Sequence, residues 1–161
     1  MSPDEAFIIT LLRALRQAGL EAIIVGNAGA ALQGAPVTTQ DVDLLIRDTA
    51  ANRDKLLRLA TELGTARPVE ISEMTSTQRL IGAAWPIDIL FETMSGGLHF
   101  ASVRSRAKTI EIGDVAATVA SLEDIIRSKE AAGRAKDHAT LPVLRDALRV
   151  IKLLESEKPE P

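Results

Sequence analysis

Asp41 and Asp43 stand one residue apart at the head of an apolar run, TTQDVDLLI at 38–46. Alternate side chains of a strand point the same way. The two carboxylates therefore share a face with Leu45, while Val42, Leu44 and Ile46 form the other face. Like charges this close repel unless a cation sits between them. A third acid, Asp88, lies inside another apolar run, WPIDILF at 85–91, where a lone carboxylate is costly to bury. If the two strands are neighbours, three carboxylates converge. An all-oxygen donor set of this kind suits a hard divalent cation, Mg²⁺ above all. Upstream, Gly26-Asn27 falls where a strand turns into a helix. Backbone N–H groups there can hold phosphate oxygens, and glycine permits close approach. Each piece also has a simpler reading: a solvated strand end, a buried acid paired with an arginine, a plain turn glycine. Their order along the chain is what points to a site.

The elements that must position these residues follow from periodicity and punctuation. Ser2-Pro3-Asp4-Glu5 reads as a helix start, with Ser2 as N-cap, Pro3 at the first position and Glu5 closing a capping box. Phe7, Ile8, Leu11, Leu12, Leu15 and Ala18 recur at helical spacing until Gly19. A buried strand is predicted at 22–26, then a short helix closed by Gly34, then the acid-bearing strand at 41–46. Residues 52–63 read as a helix with Leu56, Leu57, Ala60 and Leu63 inward. Strands are predicted at 68–72, 78–83 and 86–91, a loop at 94–97 and a helical turn at 100–106. Gly113-Asp114 joins 109–112 and 115–119 in a hairpin. Ser121 opens a helix that Gly133 interrupts, and a last helix starts between Asp137 and Pro142 and runs to about Leu154. The expectation is one α/β (α+β) domain over 1–155, a mixed sheet flanked by helices with further helices at the C-terminus, and a disordered charged tail at 156–161.

Composition narrows the functions. With 161 residues and 46% apolar content, the chain can bury a core. No run approaches the roughly 20 apolar residues of a membrane span. MSPDEAF lacks the basic flank and apolar block of a signal peptide, so a cytoplasmic protein without membrane attachment is expected. Cysteine is absent, which removes disulfides, thiol nucleophiles and cysteine metal sites. The aromatics are Phe7, Trp85, Phe91 and Phe100, too few for an RNA-stacking platform. Residues 1–100 carry 8 Lys/Arg against 12 Asp/Glu, while 101–152 carry 10 against 7. An acidic part facing a basic part suits metal and phosphate together, although ordinary surface charge gives the same count. His99 and His138 have no paired spacing and read as surface or loop residues. Ser95-Gly96-Gly97 lacks the flanks of a nucleophile elbow, and no Walker A pattern occurs.

The stretch GNAGAALQGAPVTTQDVDLLI at 26–46 resembles the signature of the nucleotidyltransferase superfamily, the DNA polymerase beta type fold. That signature is a glycine turn after the first strand, a D-x-D strand and a third acid on a neighbouring strand. Gly26-Asn27, Asp41 with Asp43, and Asp88 match it. SLEDIIRSKEAAGRAKDHATLPVLRDAL at 121–148 is similar to the tail of small bacterial members related to abortive-infection type toxins, through Lys129, Gly133-Arg134, Lys136 and Asp137. The resemblance spans about residues 20–150. The chain departs from it at Asn27, where Gly or Ser is usual. It departs again at Val37, where many relatives carry an arginine three residues after the glycine matching Gly34.

The resemblance implies Mg²⁺-dependent transfer of a nucleoside monophosphate from an NTP to an acceptor hydroxyl, with two ions. Asp41 and Asp43 would hold one ion against the triphosphate, and all three acids the second. Asp88 would also be able to receive the acceptor proton. Gly26, Asn27, Thr38 and Thr39 would touch phosphate. Lys129 and Arg134 would neutralise the triphosphate or place the acceptor. A solvated helix face remains open for Lys129, and a mutual or capping ion pair for Arg134 with Asp137. The implied acceptor is a tRNA end, a protein or a small molecule. The alternative is a non-catalytic nucleotidyltransferase-like binding module, or a toxin–antitoxin subunit with an antitoxin partner.

Overall fold

Apolar spacing in the first eighteen residues produces helix α1 (Pro3–Ala18), which ends at Gly19 with φ +65°. The computed structural model describes residues 3–65, 68–72, 77–159 and 161, so the expected N-cap at Ser2 lies outside the described residues. Strand β1 (Ile23–Val25) runs straight into α2 (Gly26–Leu32). Then come β2 (Val42–Ile46), α3 (Ala50–Glu62), β3 (Val69–Ser72), β4 (Thr77–Leu80) and β5 (Ile87–Phe91). A two-residue hairpin follows, β6 (Thr93–Met94) with β7 (Leu98–His99), and leads into α4 (Phe100–Arg106). The hairpin β8 (Lys108–Ile112) and β9 (Val115–Val119) precedes α5 (Leu122–Ala132) and α6 (Ala135–Ser156).

Seven strands form one mixed sheet in the order β3-β4-β5-β2-β1-β9-β8. β2 lies at its centre, antiparallel to β1 and parallel to β5. Helices cover both faces. Val42, Leu44, Ile46, Ile87 and Ile89 pack with Leu11 and Leu15 of α1 and with Leu56 and Leu59 of α3. On the other face Ile23, Val25 and Leu45 pack with Phe100 and Val103 of α4, Ile125 of α5 and Leu141 and Leu144 of α6. A strand buried on both sides reads as a continuous apolar run, which is why VDLLI has no polar alternation beyond its acid. Strand parity puts Asp43 on the Leu45 face, beneath α5 and α6.

The fold departs from expectation in five places, the first being β4, which ends at Leu80 and not at residue 83. Leu57 is 54% exposed, and Leu59 is the buried residue of α3. The inward stripe is 56, 59 and 60, the i, i+3, i+4 rule applied strictly, and Leu57 lies a further 100° round. That helix starts at Ala50 because the Thr49 hydroxyl accepts the Asn52 N–H at 3.0 Å. Of residues 94–97, Met94 pairs with Leu98 in β6 and 95–97 make the turn of the β6–β7 hairpin, so the segment is not a free loop. Helix α6 begins at Ala135 and carries Pro142 in its interior. The Asp137 carboxylate accepts the Arg134 backbone N–H at 3.2 Å and fixes the start there, so the proline falls after the helix is established rather than opening it. Among the described residues no helix is long and apolar enough to cross a membrane.

Candidate active site

Parallel pairing of β2 and β5 puts Asp43 directly beside Asp88 as Cα partners. Asp41 precedes β2 on the same side. The result is a cluster in which one carboxylate oxygen from each of Asp41, Asp43 and Asp88 lies within 4.8 Å of the other two. Burial first, then the charges of Asp41 and Asp88, push the Asp43 carboxyl up to about 7, against the opposing pull of Lys129 and Lys136. The donor set fits a divalent cation. All donors are hard oxygens at convergent positions, and the surplus negative charge that raises Asp43 is what such a cation removes.

Gly26 makes the cluster possible. It sits at φ +64°, and a Cβ built on it would stand 2.5 Å from Asp43 Oδ2. The left-handed residue of the turn is thus Gly26, while Asn27 already belongs to α2. Asn27 Oδ1 is buried and accepts no hydrogen bond from the described residues.

Asp43 and Asp88 open onto a cleft of about 710 Å³ between the sheet and α5, which Asp41 does not line. Gly26, Asp43, Asp88, Lys129 and Arg134 line it, with Thr77, Leu90 and the β6–β7 hairpin residues Thr93, Met94 and Ser95 as the far wall. Lys129 is not on a solvated helix face: its side chain is only 12% exposed, with Nζ 3.6 Å from Asp137 Oδ1. Burial lowers its pKa, and Asp137 only partly opposes this. Arg134 and Asp137 form the expected ion pair. Arg134 Nε donates to Oδ2 at 2.8 Å, and its backbone N–H donates to the same oxygen at 3.2 Å. Burial works to raise the fully buried Asp137 carboxyl, but the bonds and charge of Arg134, then Lys129, hold it below the usual carboxylate range. Asp137 thereby anchors two cations at the cleft.

Thr38, Thr39 and Asn27 do not line the cleft. Thr38 is exposed, and the Thr39 hydroxyl is spent on Asp41, donating to its backbone O at 2.7 Å and lying 3.1 Å from Oδ1. Phe91 lines the cleft, but it is only 5% exposed and the Arg53 guanidinium lies 4.2 Å from its ring centroid. It offers no free face for a base.

One residue at the site escaped sequence reasoning. Arg79 of β4 grips Asp88 with both ends of its fork, Nε to Oδ1 at 2.7 Å and Nη2 to Oδ2 at 3.0 Å. This bond and charge raise the Arg79 pKa further above its ordinary value. The simpler reading of Asp88, an acid paired with an arginine, is therefore realised inside the cluster. Only the register of β4 on β5 brings the pair together, and no local pattern marks it.

A glycine turn on the first strand, two acids on the next and a third on its parallel neighbour match the arrangement that the resemblance to nucleotidyltransferases leads one to expect. Residues 5–157 match the family model described as "Nucleotidyl transferase of unknown function (DUF2204)", and the chain belongs to this family of nucleotidyltransferases. No curated protein matches. Among solved structures, a Thermotoga maritima protein assigned to the nucleotidyltransferases (TM1012) aligns at 19% identity over 88% of this chain and 93% of its own, TM-score 0.65. ANT(2")-Ia in complex with adenylyl-2"-tobramycin aligns at 16% identity over 96% of both chains, TM-score 0.65. An antigenic nucleotidyltransferase-like protein from Paracoccidioides brasiliensis aligns at 18% identity over 93% of this chain and 78% of its own, TM-score 0.55. At such identities these likenesses bear on the fold.

Proposed function

We propose that this nucleotidyltransferase moves a nucleoside monophosphate from an NTP to the hydroxyl of a small molecule in the cleft, using Mg²⁺ held by Asp41, Asp43 and Asp88. The observation that carries this is the convergence of the three carboxylates within 4.8 Å, two of them, Asp43 and Asp88, lining one cleft with Lys129 and Arg134. When bound, two such ions would polarise the phosphate and lower the pKa of the acceptor hydroxyl. In the transfer, the acceptor oxygen bonds to the α-phosphorus and the bond to the bridging α–β oxygen breaks. Pyrophosphate leaves with that electron pair, and the hydroxyl proton passes to an Asp88 oxygen. Lys129 and Arg134 face the same space and set charge against the triphosphate. Gly26, at φ +64°, lets a phosphate approach the backbone between β1 and α2. Of the sequence candidates, Asn27, Thr38 and Thr39 then act at most on the turn and on Asp41, through the Thr39 hydroxyl.

A cleft of about 710 Å³ falls within the range of small-ligand sites. That ANT(2")-Ia is found with an adenylylated tobramycin supports a small-molecule acceptor over a tRNA end or a protein. A second reading, a binding module or toxin–antitoxin subunit without transfer, is favoured by one feature: Arg79 occupies both oxygens of Asp88. The deciding experiment incubates the protein with each α-labelled NTP, Mg²⁺ and, separately, a metabolite extract, total tRNA and a protein lysate. Label in the small-molecule fraction supports the proposal. Label only in RNA or protein reassigns the acceptor, and no label in any fraction favours the binding module.

A further inference from the structure

Arg79 and Asp88 face one another across β4 and β5 as register partners. The guanidinium engages both carboxylate oxygens, at 2.7 and 3.0 Å. A planar fork on a carboxylate is the strong and directional form of an ion pair. Asp88 is also the third donor of the acidic cluster. A divalent cation bound by all three acids would therefore share the Asp88 carboxylate with Arg79, and two positive groups on one carboxylate repel, which weakens the fork. The two partners are unequally free to move. The Asp88 side chain is 13% exposed and that of Arg79 37%, so the arginine is the one that can swing. Its backbone is fixed by the β4–β5 ladder, and Thr77, two residues back on the same face, lines the cleft. Arg79 is not itself a lining residue, but its partner Asp88 is, so a guanidinium released from Asp88 stands at the edge of the cleft, where a bound triphosphate is the anionic partner on offer.

We infer that Arg79 is a displaceable counter-ion: it closes on Asp88 until a divalent cation takes that ligand, and it couples cation loading to triphosphate binding. This rests on the reading of Asp41, Asp43 and Asp88 as a cation site. A cation alone must compete with the guanidinium. A cation arriving with a triphosphate gives the guanidinium a new partner, so each ligand tightens the other, and by linkage the factor is the same in both directions. Arg79 thus acts on the cation through Asp88 and on the triphosphate directly.

The test is calorimetric titration of Mn²⁺ into wild type, Arg79→Gln, Arg79→Lys and Asp43→Asn, each alone and with the α,β-methylene analogues of the four NTPs in turn. Arg79→Gln is expected to bind Mn²⁺ alone about fivefold or more tightly than wild type, with the nucleotide-induced gain seen in wild type largely lost. Arg79→Lys, which cannot fork, is expected to tighten Mn²⁺ binding to an intermediate extent, and it carries the test if the glutamine variant does not fold. A merely structural arginine would leave Mn²⁺ affinity unchanged or weakened on removal, and either result overturns the inference, as does an undiminished nucleotide gain in Arg79→Gln. The two levels separate cleanly. If Asp43→Asn loses Mn²⁺ while Arg79→Gln behaves as wild type, only the counter-ion role falls. If no form binds Mn²⁺, or Asp43→Asn binds it normally, the cation site falls and the counter-ion role with it.

Discussion

Asp43 Oδ2 occupies the space that a side chain at Gly26 would need: a Cβ there would lie 2.5 Å from that oxygen. Gly26→Ala is therefore expected to fail twice, through a left-handed backbone at φ +64° and through collision with Asp43. Gly19 supplies the control, since it has φ +65° and nothing within 4 Å of its Cβ position. Urea unfolding of both alanine variants should show Gly26→Ala the more destabilised, with the backbone share alone more than about 1 kcal/mol. Equal losses would mean that Asp43 yields freely.

Asp43 makes stability depend on pH. Its folded pKa, about 7, lies above the ordinary 3.8. The folded state therefore binds the proton more tightly than the unfolded chain, and stability falls as pH rises from about 4 to 7. Below that window the penalty is absent, and above it the penalty is complete. Without divalent cation, Asp43→Asn should melt higher than wild type at pH 8 and nearly equal to it at pH 4. At roughly 1.4 kcal/mol per unit, the gap at pH 8 is a few kcal/mol at most. Chemical denaturation at the two pH values checks this, and a gap that is largest at pH 4 would reverse the assignment.

Much of the site was legible in the sequence because its signals are local. Asp41 and Asp43 mark themselves by spacing, and Asp88 by being an acid inside WPIDILF. Strand parity then correctly separated Val42, Leu44 and Ile46 from Leu45, which fall into the two opposite cores. What escaped depends on geometry that no local window contains. Arg79 meets Asp88 only through the register of β4 on β5. Lys129 looks like a helix-surface lysine until Asp137, fully buried at the start of α6, is seen to hold it. Leu57 and Leu59 are both leucines, so helical phase alone decides which is buried. Pro142 is the louder signal for the start of α6, whereas the N-cap eight residues earlier is an arginine, whose side chain cannot accept, and only the Asp137 carboxylate reaching back to its N–H marks the start.

The Asp137 anchor yields a contrast. Removing the buried carboxylate leaves the part-buried Lys129 without its partner while the exposed Arg134 turns to water, so Asp137→Ala should cost on the order of 3 kcal/mol of stability. Lys129→Ala and Arg134→Ala should stay folded and chiefly raise KM for NTP or acceptor, because they supply charge and position rather than bond-making atoms. Thermal melts and steady-state kinetics on the three variants separate these roles. A kcat loss in Lys129→Ala as deep as that of an acid variant would place Lys129 at the reacting atoms.

Divalent cation should stabilise the protein by mass action, since it binds the folded cluster and not the unfolded chain. Mg²⁺ or Mn²⁺ is expected to raise Tm in wild type, more so with NTP, and not in the Asp41→Asn/Asp43→Asn/Asp88→Asn triple variant. Equal shifts in both proteins would place the cation elsewhere.

The most direct test of the account is transfer itself, followed with NTP labelled on the α-phosphate and, in parallel, on the γ-phosphate. Wild type with Mg²⁺ and an acceptor-containing extract is expected to attach the α-label and release the γ-label in pyrophosphate. Asp41→Ala, Asp43→Ala and Asp88→Ala should each abolish attachment, since metal-borne charge stabilisation is worth several kcal/mol. Undiminished attachment by any of the three variants, or none by wild type in every extract, would contradict the claim that these carboxylates carry out nucleotidyl transfer.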